Sequence, residues 1–298
     1  MVRGEEMKKS LSYRIFLVIN AILLILLALS CLYPFLNMFA TSLSTNEAVM
    51  KGNVSIWPQG LNLEAYSRIL KESQFWIGYK NTIIYTVLGT IISLVMTIIC
   101  AYPLSRKNLI AKKPILLFMI FTMYFGGGLI PSYLLIKNLG MMNTIAAIVL
   151  PGAISVYNML IMKTFFQGIP ESLIEAAQID GMGYLGILCK IVVPLSKPIL
   201  ATMTLFYAVG YWNDWFTALI YMNSNSKYPV TLFLRDIVMG VTLQAQSGQA
   251  IDASAATSVM AQTMQSATVM LVTIPILCVY PFVQKHFVKG VMLGSVKE

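Results

Sequence analysis

The sequence has few charged residues. Only 11% of its 298 residues are Asp, Glu, Lys or Arg, whereas a soluble domain carries about 25%. Hydrophobic residues make up 57% of the chain, and the mean hydropathy is +0.74. This composition excludes an ordinary soluble domain and is typical of a protein that lies in a membrane.

Residues that carry catalytic chemistry are also scarce. His286 is the single histidine of the chain, so neither a Ser-His-Asp triad nor a histidine-rich metal site is indicated. No Gly-Lys step occurs in the sequence, which excludes nucleotide binding by a P-loop in this chain. The cysteines form no CxxC pair and indicate neither a disulfide framework nor a metal site; they are Cys31, Cys100, Cys189 and Cys278. We predict no catalytic residue, no metal and no bound cofactor.

Long stretches of the chain contain no charged residue at all. They cover residues 15–46, 81–105, 114–136, 138–162, 198–213 and 253–284. A helix that crosses the hydrocarbon core needs about 20 mostly apolar residues. We therefore predict an all-α integral membrane protein, with a single transmembrane domain over residues 1–298. Its six membrane helices are expected at about 14–38, 78–103, 115–136, 143–164, 198–222 and 262–284.

The first apolar run follows a basic segment, as the apolar core of a signal peptide does. It is too long for such a core, and no small-residue cleavage site follows it. We therefore interpret the run as a membrane helix.

The formal net charge is +9, and its distribution indicates topology, not nucleic-acid binding. Lys and Arg gather on cytoplasmic flanks of membrane helices. In this chain they lie before the first helix, in the second loop and after the last helix; they are Arg3, Lys8, Lys9, Arg14, Arg106, Lys107, Lys112, Lys113, Lys285, Lys289 and Lys297. Both termini are therefore predicted to be cytoplasmic, in agreement with six crossings.

This topology places two long loops, at about 40–78 and 222–261, outside the cell. Leu63 to Leu70 could form a short surface helix in the first loop, and Thr231 could begin another in the second. Long ordered loops are often functional. Docking of an external partner and a flexible, solvated loop are both compatible with the sequence.

Two of the predicted helices carry unusual small or polar residues. Gly126, Gly127 and Gly128, followed by Pro131, should loosen or kink the third helix, either as a hinge or for close packing. The second helix carries hydroxyl side chains within one sector of roughly 80°, which faces another helix or a wet path; they are Thr82, Thr86, Thr90, Ser93 and Thr97.

The fifth predicted helix contains a candidate substrate path. Tyr207, Tyr211 and Asp214 are spaced i, i+4, i+7 and share a face, with Trp215 at its edge. Aromatic rings and a carboxylate suit a sugar, since ring faces stack and hydroxyls donate to the carboxylate. An acidic residue inside a membrane is a functional hypothesis by default. The alternative is an aromatic belt at the outer interface, with Asp214 already among the headgroups.

A polar insert, "PESLIEAAQIDG", lies between the fourth and fifth predicted helices. Pro170 can set the first turn of a helix, near whose positive end Glu171 and Glu175 are favoured. Gly181 and Gly183 should end it. The insert therefore predicts a cytoplasmic helix at about 171–183, either a docking helix for a partner or an amphipathic loop helix.

The residues of this insert resemble a known motif. Glu175-Ala176-Ala177 is followed after three residues by Gly181, and later by Ile191 and by Val193-Pro194. This pattern is similar to the EAA motif in the permease subunits of bacterial ABC importers, which usually has Leu where Val193 stands. Residues 126–181 and the tail "FVKGVMLGSVKE" resemble the maltose-importer-like permeases, and within them the group for complex oligosaccharides, including alginate- and pectin-derived ones.

The resemblance implies a type I ABC importer permease fold in a bacterial cytoplasmic membrane. It implies a second, homologous permease, two ATPase subunits that bind Mg-ATP, and an extracytoplasmic substrate-binding protein that delivers an oligosaccharide. The ATPase-coupling residues it implies are Glu175, Ala176, Ala177, Asp180 and Gly181. The Tyr207–Asp214 path follows from spacing, not from the resemblance.

Other function classes fit less well. An ABC permease for a peptide, an ion or another non-sugar solute is the nearest alternative. An ion-coupled secondary carrier would need several coupling residues and usually more helices. An integral membrane enzyme would need a catalytic histidine or clustered carboxylates, and the single histidine, which lies just past the last predicted helix, argues against it.

Overall fold

The structure is a computed structural model that describes residues 11–246 and 262–278. Over these residues it is helical, with no β-strand beyond an isolated bridge between Ser44 and Leu61. The predicted all-α secondary structure is confirmed over the described residues. Several predictions fall outside the described residues: both termini with their basic residues other than Arg14, the C-terminal end of the predicted second outer loop, the end of the predicted sixth helix, and His286.

The described residues form two compact units. The first contains residues 11–69, 237–246 and 262–271, and the second contains residues 70–236 and 272–278. The candidate coupling helix and the candidate substrate path both lie in the second unit.

The first unit begins with a long helix, α1, at Leu11–Ser42. Two short helices follow, α2 at Asn46–Met50 and α3 at Glu64–Lys71, the latter one residue later than the predicted surface helix. The segment between them is held by side chains of α1, because the Asn37 amide donates to the Ser55 carbonyl at 3.0 Å. This part of the segment predicted as the first outer loop therefore has a defined structure.

The second unit is built around α4, at Ser73–Ser105, which is longer than the predicted span. α1 and α4 are the two described helices that are individually long and apolar enough to cross a membrane. Two bent helix pairs each qualify as one further candidate span, which gives up to four in the described residues.

The third predicted helix is interrupted. α5 covers Lys112–Tyr124 and α6 covers Leu129–Asn138, and the two are bent by 111°. Gly128 lies in the break with a φ of +87°, a region that favours glycine. The glycine run was expected to loosen or kink the helix, and the helix is interrupted and sharply bent there.

The fourth predicted helix is divided as well. α7 covers Ile145–Val149 and α8 covers Val156–Gln167. The residues between them include Pro151, which cannot donate a backbone hydrogen bond within a helix. Ser155 caps α8 by accepting a hydrogen bond from the Asn158 backbone N–H at 3.4 Å.

The polar insert and the fifth predicted helix form four elements. α9 covers Glu171–Ile179, and α10 covers Tyr184–Leu195 with a π-helical turn at Leu188–Val192. α11 covers Lys197–Asn213 at a bend of 84° from α10, and α12 covers Phe216–Tyr221. The helix predicted at 198–222 is therefore broken after Asn213.

The segment predicted as the second outer loop is largely helical over its described part. A 3-10 turn at Asn225–Lys227 precedes α13, which covers Val230–Gln246. α13 begins one residue before the predicted short helix and is much longer. The last described helix, α14, covers Gln262–Cys278.

The core of the second unit lies where α4 packs along α8 and α11. Its largest cluster joins the C-terminal part of α4 to α8, α9, α10 and α11. The fully buried members Met159, Phe166 and Ile187 are among the side chains at its centre. This cluster fixes the position of the short helix α9 relative to α4 and α8.

Candidate functional site

The candidate coupling helix α9 is short and has defined ends. It begins directly after Pro170, and the Leu173 backbone N–H donates to the Pro170 carbonyl at 3.2 Å. Gly181 has a φ of +76°, and the Met182 N–H donates back to the Ala177 carbonyl at 2.9 Å. A left-handed glycine with this hydrogen bond is a common way to end a helix.

The predicted coupling residues of α9 divide between two faces. Glu175, Ala176, Asp180 and Gly181 are exposed. Ala177 is only 5% exposed, and with Ile174 it packs into the core cluster. The resemblance implied Ala177 as a coupling residue beside Ala176, but the structure places it on the inward face, because the i, i+3 pair Ile174 and Ala177 is the face by which α9 packs on the rest of the unit.

Large apolar side chains lie on the outside of this region. Ile179 is 86% exposed, and Tyr184 and Leu185, at the start of α10, are 71% and 78% exposed. Neighbouring exposed apolar side chains mark interaction sites in folded proteins. The sequence interpretation missed these residues. The sequence feature that could have identified them is that they are large and apolar in an acidic segment and do not share the face of Ile174 and Ala177.

An ion pair connects α9 to the loop that follows α4. The Lys107 ammonium donates a hydrogen bond to the Glu171 carboxylate. This hydrogen bond and the opposite charge raise the pKa of Lys107 and lower the pKa of Glu171. Both groups are therefore charged at neutral pH.

At the other predicted site, an open cavity of about 790 Å³ borders α6, α8, α11 and α12. Tyr207, Tyr211 and Asp214 line this cavity together, whereas Trp215 does not. The glycines of the break between α5 and α6, Gly126, Gly127 and Gly128, lie along the same cavity. The sequence interpretation did not connect the glycine run with the tyrosines, because their shared position along one cavity depends on the sharp bend.

The hydroxyl groups of both tyrosines are engaged within the protein. Tyr207 lies 2.6 Å from the Thr97 hydroxyl and accepts a hydrogen bond from the Ser155 backbone N–H at 3.2 Å. Tyr211 donates to the Val149 carbonyl at 3.2 Å and lies 2.9 Å from the Ser93 hydroxyl. These tyrosines therefore offer ring edges and faces to the cavity more readily than free hydroxyl groups.

The hydroxyl stripe of α4 is a helix-packing surface. Ser93 and Thr97 pair with the tyrosines of α11, and Thr82 accepts a hydrogen bond from the Val230 backbone N–H at 2.9 Å. The hydroxyls of Thr86 and Thr90 have no hydrogen-bond partner in the described part of the chain. Of the two interpretations left open by the sequence, packing is the one that the structure supports.

Gly89 allows this close approach of α4 and α11. A Cβ atom placed on Gly89 would lie 2.7 Å from the ring of Tyr211. The ring has little freedom to move because its hydroxyl is held on two sides. Glycine at position 89 therefore leaves the space that the Tyr211 ring occupies.

Asp214 and Trp215 have roles that a continuous helix would not give them. α11 ends at Asn213, and one carboxylate oxygen of Asp214 accepts the Thr217 N–H at 3.0 Å, near the start of α12. The Arg235 guanidinium lies 5.3 Å from the centre of the Trp215 ring. The predicted shared face thus ends at Tyr211, and Asp214 reaches the cavity from a loop.

Comparison with known proteins gives a consistent picture. Residues 74–292 match the family described as binding-protein-dependent transport system inner membrane component. The chain is 42% identical over 274 residues to the polygalacturonan/rhamnogalacturonan transport system permease protein YtcP of Bacillus subtilis (strain 168), which covers 92% of this chain and 95% of that protein. It is 38% identical over 297 residues to protein LplC of the same strain, across 100% of both chains.

A solved structure is similar as well. It is described as a bacterial ABC transporter involved in the import of the acidic polysaccharide alginate. The TM-score is 0.82 at 34% sequence identity, and the alignment covers 93% of this chain and 98% of that chain.

Proposed function

This chain belongs to the family of binding-protein-dependent transport system inner membrane components, and we propose that it is the membrane subunit of an ATP-driven importer that moves an oligosaccharide into the cell. The resemblance found in the EAA pattern is confirmed by this membership. The chain is an ABC transporter permease, a multi-pass inner-membrane protein and not an enzyme. ATP is hydrolysed by partner ATPases.

The observation that carries the oligosaccharide assignment is similarity over nearly the whole chain to a permease named for polygalacturonan and rhamnogalacturonan transport. The structural relative is named for import of an acidic polysaccharide. We propose oligosaccharides, with uronate-containing ones as the first to test. The described residues do not favour a non-sugar solute or an ion-coupled carrier.

We propose that the tyrosine-lined cavity forms part of the substrate path. Asp214 is the one charged side chain among the residues that line it. A carboxylate would repel a uronate group but accept hydrogen bonds from sugar hydroxyls. This chain would therefore contact ring faces and hydroxyls through Tyr207, Tyr211 and Asp214, and positive charge for a uronate would come from the partner permease.

The proposed topology has six membrane helices with both termini in the cytoplasm. The bent pairs would each form one span, as would the divided segment α7–α8 and the segment that contains α14. The loop 106–111 and helix α9 would then lie on the cytoplasmic side. The basic residues of this loop fit such a placement.

We propose that α9 couples this chain to an ATPase. Glu175, Ala176, Asp180 and Gly181 would form the contact, joined by the exposed Ile179. Ala177 would support the contact from inside. The complex would contain this chain, a second homologous permease, two ATPases and an extracytoplasmic substrate-binding protein.

The proposed mechanism is alternating access. ATP binding closes the two ATPases, each coupling helix moves with its ATPase, and the membrane helices switch from inward-open to outward-open. The loaded binding protein releases the sugar into the cavity, and hydrolysis restores the inward state. Each state must be favoured by a different ligand, ATP on one side and the binding protein on the other.

The first experiment is co-purification. The tagged chain is extracted in mild detergent, and its partners are identified by mass spectrometry. A second permease and an ATPase are expected. A chain that transports or catalyses alone, with no ATPase bound, would contradict the proposal.

The purified complex then allows a test of the residues. ATP hydrolysis and uptake of labelled oligogalacturonides are measured in proteoliposomes with the binding protein. Glu175→Lys should abolish coupled uptake, and intact transport would remove the coupling assignment. Unchanged selectivity and rate in both Tyr211→Ala and Asp214→Ala would remove the substrate path.

A further inference from the structure

The coupling helix α9 is connected to α8 by only three residues. Residues 168–170 link Gln167 to Glu171, and they include Gly168. The Ile169 N–H makes a long hydrogen bond of 3.4 Å to the Phe166 carbonyl. A link of this kind could bend when α9 is pushed, so that the push would not reach the membrane helices.

Arg106, directly after α4, joins the ends of α4 and α8. Its Nη2 donates to the Phe166 carbonyl at 3.2 Å, in the last turn of α8, where a cation is favoured. Its Nε donates to the Ser105 hydroxyl at 3.0 Å, and its guanidinium lies 5.1 Å from the centre of the Tyr102 ring. The planar guanidinium is therefore held by both helices at once.

The next residue, Lys107, reaches the first residue of α9. Its ammonium pairs with Glu171, whose carboxylate also lies at the positive end of that helix. The two side chains are 78% and 49% exposed, so this pair adds little to the stability of folding. It links the N-terminal end of α9 to the loop that follows α4.

The other side of α9 is held by apolar contacts. Ile174 and Ala177 lie in the same buried cluster as Tyr102 of α4 and Phe166 of α8. Two kinds of contact thus connect α9 with the ends of α4 and α8. One is made by the basic residues Arg106 and Lys107, and the other is the shared buried cluster.

We propose that Arg106 and Lys107 are positioning residues that make α9 and the ends of α4 and α8 move as one body. This inference rests on the proposed function, in which α9 receives the motion of an ATPase. The pair would not touch the substrate or ATP. It would keep the link 168–170 from bending, so that motion of the ATPase reaches α4.

The first test measures position, without substrate. The native cysteines are replaced by serine, and spin labels are attached to cysteines introduced by Asn108→Cys and Ser172→Cys, at two exposed sites on the loop and on α9. We expect one narrow distance in the wild-type background and a clearly broader distribution in Arg106→Ala. Lys113→Ala removes the same charge from an exposed site in the same region and should leave the distribution narrow.

The second test measures coupling in the assembled complex, as oligogalacturonide imported per ATP hydrolysed. Arg106→Ala should lower this ratio about tenfold, and Arg106→Lys, which keeps the charge but not the planar fork, about threefold. Lys107→Glu and Glu171→Lys should each lower the ratio about threefold, and the double exchange should restore it. Bound ATPase should stay constant across the series.

The two tests separate the inference from the proposed function. If no ATPase co-purifies, the function proposal fails, while the spin-label distances still decide the positioning role. If the complex works and Arg106→Ala leaves both the distance distribution and the coupling ratio unchanged, the positioning role is wrong. If the double charge exchange does not restore the coupling ratio, Lys107 has no positioning role.

Discussion

Along the contact of α4 with α11, polar side chains are paired inside the protein, whereas on α9 and at the start of α10 large apolar side chains point outward. Ser93 and Thr97 meet Tyr211 and Tyr207. Ile179, by contrast, is 86% exposed. These two hydrogen-bonded pairs are formed entirely within this chain. The second surface has no partner within the described part of this chain, which fits the proposed contact of α9 with an ATPase.

The comparison also separates two kinds of small residue. Gly89 is small because an aromatic ring of the same chain occupies the space beside it. Gly181 has open space beside it and is required for its backbone conformation, with a φ of +76°. Gly89 is thus required for close packing, whereas Gly181 is required for a left-handed backbone conformation at the end of α9.

The largest effect should come from the inward face of α9. Ile174→Ala leaves a cavity in the core cluster and should cost about 2–5 kcal/mol in the free energy of unfolding. Ile179→Ala should leave the unfolding temperature in detergent unchanged and lower the amount of ATPase that co-purifies. Equal loss of stability in both variants would show that the two faces are not distinct.

A smaller effect is expected where α4 meets α11. Gly89→Ala places a methyl group against the Tyr211 ring and should destabilise the fold by about 1–3 kcal/mol. Gly210→Ala is the matched control, because a Cβ on Gly210 in α11 would meet nothing within 4 Å. Thermal unfolding of the two variants is compared. An unchanged unfolding temperature in Gly89→Ala would contradict the close packing of the Tyr211 ring against position 89.

The hydroxyl stripe offers a test between neighbouring threonines. Thr97→Val removes the partner of the Tyr207 hydroxyl and should cost about 1.5 kcal/mol. Thr90→Val removes a buried hydroxyl that has no hydrogen-bond partner in the described residues and should be neutral or stabilising. The measurement is again thermal unfolding, and the reverse order of the two effects would overturn the packing assignment.

The smallest effect concerns Asp214 as a helix cap. Asp214→Ala should destabilise by about 1 kcal/mol, whereas Asp214→Asn keeps an oxygen that can accept the Thr217 N–H and should be close to wild type. Uptake by the complex separates the cap from a role in the substrate path. Normal stability with slowed uptake in Asp214→Asn would indicate that the charge itself acts on the sugar.

Much of this protein follows from the sequence alone. Runs without charge require helices in a membrane, because unpaired backbone groups are too costly there. Pro170, Gly181 and the acidic first turn place α9 to within a few residues, since these are local backbone preferences. The EAA pattern identified the family because it is a fixed order of residue types.

Tertiary structure decided which way residues face and where long helices break. Ala177 looks equivalent to Ala176 in the sequence, and only the core beneath α9 separates them. The tyrosines of α11 seemed free to bind a sugar until α4 supplied Ser93 and Thr97 as partners. The bends at Gly128 and after Asn213 bring the glycine run, the tyrosines and Asp214 to one cavity. Such contacts join residues far apart in the chain, and local preferences carry no information about them.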